Sequence, residues 1–153
     1  MKENILKSLL FLSVLTFLFF ASCNTDESSK GSNVKIIVSL DEVNASDDYV
    51  SVTIVGNNQS GNIDFPLWKL NNINQSNEIV SLDKNNFSGN IKTYTIETIK
   101  PIEIFTASFQ IINYNNPITG TIKIERNGNI MVNETINLQT DNSDFTESYT
   151  INN

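Results

Sequence analysis

From Val34 to the C-terminus, apolar residues recur at every second position. Val34, Ile36, Val38 and Leu40 bracket Lys35 and Ser39. Val50, Val52 and Ile54 bracket Ser51 and Thr53. Phe105, Ala107, Phe109 and Ile111 bracket Thr106, Ser108 and Gln110, and Ile118, Ile122 and Ile124 bracket Thr119, Thr121 and Lys123. A period of two puts successive side chains on opposite faces, so each run reads as a strand with one face on a core. The runs are filled by β-branched and aromatic residues, which suit a pleated surface. No three-four spacing persists long enough for an amphipathic helix.

Turn chemistry separates the runs. The segment 56–62 and the asparagine-rich stretches 71–77, 85–90 and 113–117 read as loops. Asn127-Gly128 lies between alternating runs and predicts a tight hairpin, because both central residues must take positive φ. About nine strands are expected, near 34–40, 48–56, 64–70, 78–83, 90–98, 102–112, 118–126, 129–139 and 145–152. Short strands at regular spacing predict an all-β domain over 34–153, an immunoglobulin-like or fibronectin-like sandwich of about seven to nine strands. The paired cysteines of true immunoglobulin domains are missing, so this expectation is one of architecture.

The rest of the composition restricts function. The chain has 153 residues, no histidine, one cysteine and a formal net charge of −7. Without histidine there is no Ser-His-Asp triad, no Cys-His dyad and no His-ligated metal. One cysteine excludes an internal disulfide and a multi-cysteine metal site. Net negative charge argues against nucleic acid as a partner. Asparagine and isoleucine make up roughly 30% of the chain, far above ordinary usage. The Asn-x-Ser/Thr sequons, at Asn58 and Asn133 for example, are expected by chance at that asparagine content.

The N-terminus carries the most specific signal. Lys2 and Lys7 precede an apolar run from Ser8 to Phe20, which ends at Ala21-Ser22-Cys23. About 13 residues suit a signal-peptide core and fall short of the ~20 of a spanning helix. Phe20-Ala21-Ser22-Cys23 resembles a bacterial lipobox, with Phe20 in place of the usual aliphatic residue. The resemblance implies a signal peptide over 1–22, cleaved before Cys23, whose side chain and freed amine are then acylated. Each buried CH₂ contributes ~0.8 kcal/mol, so two or three acyl chains hold a protein on a membrane essentially permanently. An ordinary secreted protein with a free cysteine is the competing reading. Residues 23–33 read as the anchor and a polar tether. Asp26 and Glu27 resemble, in part, the surface-export signal of Bacteroidetes-type lipoproteins; a solvated linker is the equal alternative.

Few residues of the mature domain suggest chemistry. Trp68 is either a stacking platform for a sugar or partner, or a core residue of the third strand, the commoner place for it. Asp41, Glu42, Asp47 and Asp48 cluster around the first turn, and 58–64 faintly resembles a calcium loop; Ca²⁺ needs six to eight oxygens. Acidic residues in turns more often solvate and cap them. Tyr49, Tyr94, Tyr114 and Tyr149 are either an exposed patch or strand tyrosines with satisfied hydroxyls. No phosphate loop, nucleophile elbow or metal motif is present, and no carboxylate pair stands out. No catalytic residue, cofactor or metal ligand is therefore assigned. The expectation is a non-catalytic, lipid-anchored outer-membrane or cell-surface module that binds a protein or glycan, with loops 56–64 and 113–117 as contact regions. A periplasm-facing accessory subunit is the first alternative and a carboxylate-dependent hydrolase the second.

Overall fold

The computed structural model describes residues 31–57 and 67–152. Cys23, the segment 1–22, most of the tether, loop residues 58–64 and the start of the strand expected at 64–70 lie outside the described residues. Within them the chain is an all-β sandwich of two antiparallel sheets. The strands are β1 (Val34–Asp41), β2 (Tyr49–Asn57), β3 (Trp68–Leu70), β4 (Ile73–Asn74) and β5 (Ile79–Asp83). They continue as β6 (Thr93–Thr98), β7 (Ile104–Ile112), β8 (Ile118–Arg126), β9 (Asn129–Leu138) and β10 (Asp144–Asn152). One sheet runs β4-β3-β6-β1-β8-β9 and the other β10-β7-β2-β5.

The alternation becomes the core directly. Ile36, Val38 and Leu40 of β1, Val52 and Ile54 of β2, and Ala107, Phe109 and Ile111 of β7 are all buried between the sheets. Asn127 and Gly128 both take positive φ, 49° and 79°, and close the β8–β9 hairpin as expected.

The structure departs from the expectation in three places. Asn71 and Asn72 adopt positive φ, 47° and 66°, so the stretch expected as loop makes a second tight hairpin and adds the two-residue β4. Asparagine tolerates this left-handed region better than most residues, because its short polar side chain bonds locally. Here Asn71 Oδ1 accepts from Thr95 N at 2.9 Å. The stretch 85–90, also expected as loop, begins with a single helical turn, α1 (Lys84–Ser88). Asp83 caps it by accepting from Asn85 N and Asn86 N, Asn86 reciprocates onto Asp83 N, and Phe87 anchors the turn in the core. Phe87 meets Tyr94 edge-on at 5.0 Å. Finally, the folded part begins before Val34. Ser32 is buried, forms a bridge with Ile102 and accepts from Arg126 Nε at 2.7 Å.

Strands β9 and β10 are the exposed edges on one flank. Both place a glutamate at an inward-facing position, Glu134 opposite Ile122 and Glu147 opposite Phe109. Inward charges on edge strands oppose edge-to-edge aggregation. Tyr149 stands at this flank, half-buried against Phe109 with ring centroids 6.1 Å apart. Burial, then the charges of Glu134 and Glu147, push its phenol above the ordinary value. A bulge beside Glu125 leaves Met131 without a partner in the β8–β9 ladder.

Candidate functional site

The strand directions give the sandwich two distinct ends. At the proximal end lie Ser32, Ile102, Asn127 and the last residues of β2 and β10, with Arg126 Nη1 donating to Asn152 O at 2.9 Å. At the distal end lie the turn between β1 and β2, the start of β2 and the end of β7.

Asp48 and Asn113 organise the distal end. They stand one step beyond the Tyr49–Ile112 pair, Asp48 just before Tyr49 and Asn113 just after Ile112, both at inward-facing steps, and both are fully buried. Asp48 Oδ2 accepts from Asn44 N at 2.8 Å and Oδ1 from Tyr114 N at 3.1 Å. One carboxylate thereby ties the first turn to the 113–117 loop. Asn113 Nδ2 donates to Leu138 O at 3.0 Å and Thr140 O at 3.3 Å, which brings in the β9–β10 connection. Its Oδ1 is buried with no partner among the described residues.

The acids of the first turn are engaged unevenly. Asp48 is committed to two backbone N–H groups, Asp47 accepts from Asn44 Nδ2 at 3.0 Å, and Asp41 and Glu42 are exposed. Among the described residues no three acidic or other ligating side chains converge. Asp47 and Asp48 do what turn acids usually do: they satisfy N–H donors. Trp68 is likewise a core residue. It is fully buried and donates Nε1 to Glu78 O at 3.0 Å. The tyrosines divide. Tyr94 is buried with its hydroxyl donating to Asn86 O at 3.0 Å, Tyr149 is half-buried, and Tyr49 and Tyr114 are 44% and 42% exposed at the distal end.

The outer faces of the two sheets differ in kind. Across the six-stranded sheet, Glu97, Lys35 and Glu125 sit in one row, and Lys35–Glu97 and Lys123–Glu125 form ion pairs at 3.2 and 2.6 Å. Bonded by Lys123, the Glu125 carboxyl is held below its ordinary value. The four-stranded sheet instead presents neutral hydroxyls in register. Ser148, Ser108, Thr53 and Ser81 form one row across all four strands. On one side of it lie Thr146, Gln110, Ser51 and Asp83, and on the other Thr150, Thr106 and the exposed Val55 and Ile79. Ser108–Ser148 and Thr106–Thr150 are hydroxyl pairs at 2.9 and 3.0 Å. The corner acids are engaged locally: Asp83 caps α1, and Asp144 Oδ2 accepts from Thr146 Oγ1 at 3.1 Å. Sequence reasoning used these serines and threonines only as the polar half of an alternation. The available signal was that the outward positions of β2, β7 and β10 hold no lysine or arginine, whereas those of β1 and β8 do.

No protein-family model matches the chain, and neither does any curated protein. Solved structures do resemble it. The calcium-bound form of a protein from Parabacteroides distasonis, determined by NMR, superposes with a TM-score of 0.59 at 14% identity, covering 84% of this chain and 99% of the other. A domain of unknown function, DUF4425, from Bacteroides vulgatus gives 0.57 at 14% identity over 81% and 98%. A DUF4425 family protein from Bacteroides ovatus gives 0.55 at 14% identity over 79% and 94%. At this identity the likeness is one of fold.

Proposed function

We propose that the chain is a lipid-anchored envelope protein whose domain works by binding rather than catalysis. The observation that carries this reading is Phe20-Ala21-Ser22-Cys23, which ends an apolar run of signal-peptide length. Acylated Cys23 would hold the protein in the outer membrane. Ser32 lies nine positions after Cys23, a reach of at most about 30 Å. Ser32 is docked at the proximal end, so the distal end, with Tyr49 and Tyr114, faces away from the anchor. Binding is favoured over hydrolysis because the buried carboxylate of Asp48 is occupied with backbone donors.

Growth with an alkyne palmitate analogue tests the anchor. The protein takes up the label and stays with membranes, and Cys23→Ser loses both. An unlabelled wild-type protein in the soluble fraction overturns the reading. Protease treatment of intact cells then separates a surface module, which is cleaved, from a periplasm-facing accessory subunit, which is protected until lysis.

A further inference from the structure

We infer that the outer face of the four-stranded sheet is a binding surface for a neutral polysaccharide. This rests on the binding-module reading and names its ligand class. The row Ser148–Ser108–Thr53–Ser81 is one line of a two-dimensional array. Its groups are spaced about 4.8 Å across strands and about 6.7 Å along them. Each hydroxyl carries one donor and two acceptor sites. A cross-strand pair such as Ser108–Ser148 consumes one donor and one acceptor, so one O–H and three lone pairs stay available per pair. Sugar hydroxyls offer the same mixed donors and acceptors at similar density.

The charge pattern selects a neutral partner. The protein carries −7 overall, yet among the described residues the outward positions of this face hold no lysine or arginine; its corner acids Asp83 and Asp144 are turned to local donors, and Glu147 borders it at the β10 edge. An acidic polymer finds no counter-charge there and would meet the carboxylate of Glu147. Short side chains on strands also lose little rotamer entropy when a ligand orders them, unlike lysine or glutamate. A shallow depression of about 390 Å³ lies on the face, lined by Ser51, Ser108, Phe109, Gln110, Thr146, Glu147 and Ser148, so hydroxyls and an amide dominate it and one carboxylate borders it. At the distal end of the same face stands the exposed ring of Tyr49, one step beyond Ser51 on β2. A tyrosine there supplies the rigid apolar area on which the C–H face of a sugar packs, at little entropic cost.

The test is native affinity electrophoresis of the full chain in detergent. The gels contain dextran, laminarin or galactomannan, with polygalacturonate as the acidic comparator. At least one neutral polymer retards the protein, and raising NaCl from 50 to 500 mM leaves the retardation unchanged, because no ion pair is involved. Ser108→Arg and the edge-strand variant Ser81→Arg each weaken retardation at least tenfold, and Tyr49→Ala weakens it several-fold. Thr121→Arg, on the outer face of the other sheet, does not. Circular dichroism confirms that each variant is folded, and Ser81→Arg carries the result if Ser108→Arg is not. Retardation by no neutral polymer, by polygalacturonate alone, or equally lost in Thr121→Arg overturns the inference. Retardation that both face variants retain overturns this face while leaving a binding module in place.

Discussion

Gly56 of β2 forms the floor on which the Trp68 indole lies. A Cβ at Gly56 would stand 2.7 Å from Trp68 Cζ2 and 3.1 Å from Ile102 Cδ1. The two residues belong to different sheets, so the contact sets how closely the sheets approach at the proximal end. Gly56→Ala is expected to destabilise by about 1–3 kcal/mol, the usual range for overpacking. Gly120→Ala is expected to cost more, because its Cβ would fall on the Ser39 carbonyl oxygen, and backbone cannot swing aside like a side chain. Urea unfolding followed by Trp68 fluorescence measures both. A Gly56→Ala midpoint equal to wild type contradicts the close fit.

Asp48→Ala removes the acceptors of Asn44 N and Tyr114 N together. Leaving two N–H donors without acceptors is expected to cost about 3 kcal/mol. Asp47→Ala, whose side-chain bond to Asn44 is exposed, is expected within about 0.5 kcal/mol of wild type. Equal losses in the two variants would show that Asp48 is an ordinary turn acid.

Folding raises the Tyr149 phenol above its ordinary pKa of about 10, first by burial and then through Glu134 and Glu147. The neutral phenol is the form that the fold favours. Its contribution is complete below pH 10 and is lost as pH rises through the raised folded value, because the unfolded chain releases the proton first. Urea midpoints measured between pH 9 and pH 11 should fall less steeply in Tyr149→Phe than in wild type. Parallel slopes would remove Tyr149 from the alkaline limb.

Glu134 and Glu147 guard the two edges on one flank. Replacing both with valine gives β9 and β10 apolar inner faces and, beside exposed Ile130 and Met131, an edge open to pairing. Light scattering after size exclusion should show concentration-dependent self-association of the double variant at concentrations where wild type stays unchanged. A double variant that elutes like wild type would mean that the bulge at Met131 suffices.

Much of this fold is legible in the alternation. Residues 104–112 and 118–126 announce which side chains enter the core, and the structure buries them. Asn127-Gly128 announces its hairpin for an equally local reason, since both residues tolerate positive φ. The stretches 71–77 and 85–90 were less legible. Their asparagines signal a turn, while the ladder of β4 and the capped turn of α1 depend on partners elsewhere: Thr95 N for Asn71 and the core for Phe87.

The sequence by itself determined which residues of each strand face inward, because a period of two is a property of one chain segment. It also supplied the Cys23 motif, which owes nothing to folding. Only the tertiary structure decided which strands are neighbours. Every strand offers the same N–H and C=O groups along its edges, so pairing cannot be chosen by local hydrogen bonding. It is chosen by the joint packing of side chains far apart in sequence. That choice put β7 between β10 and β2, aligned Ser148, Ser108, Thr53 and Ser81 into one row, and set Trp68 over Gly56.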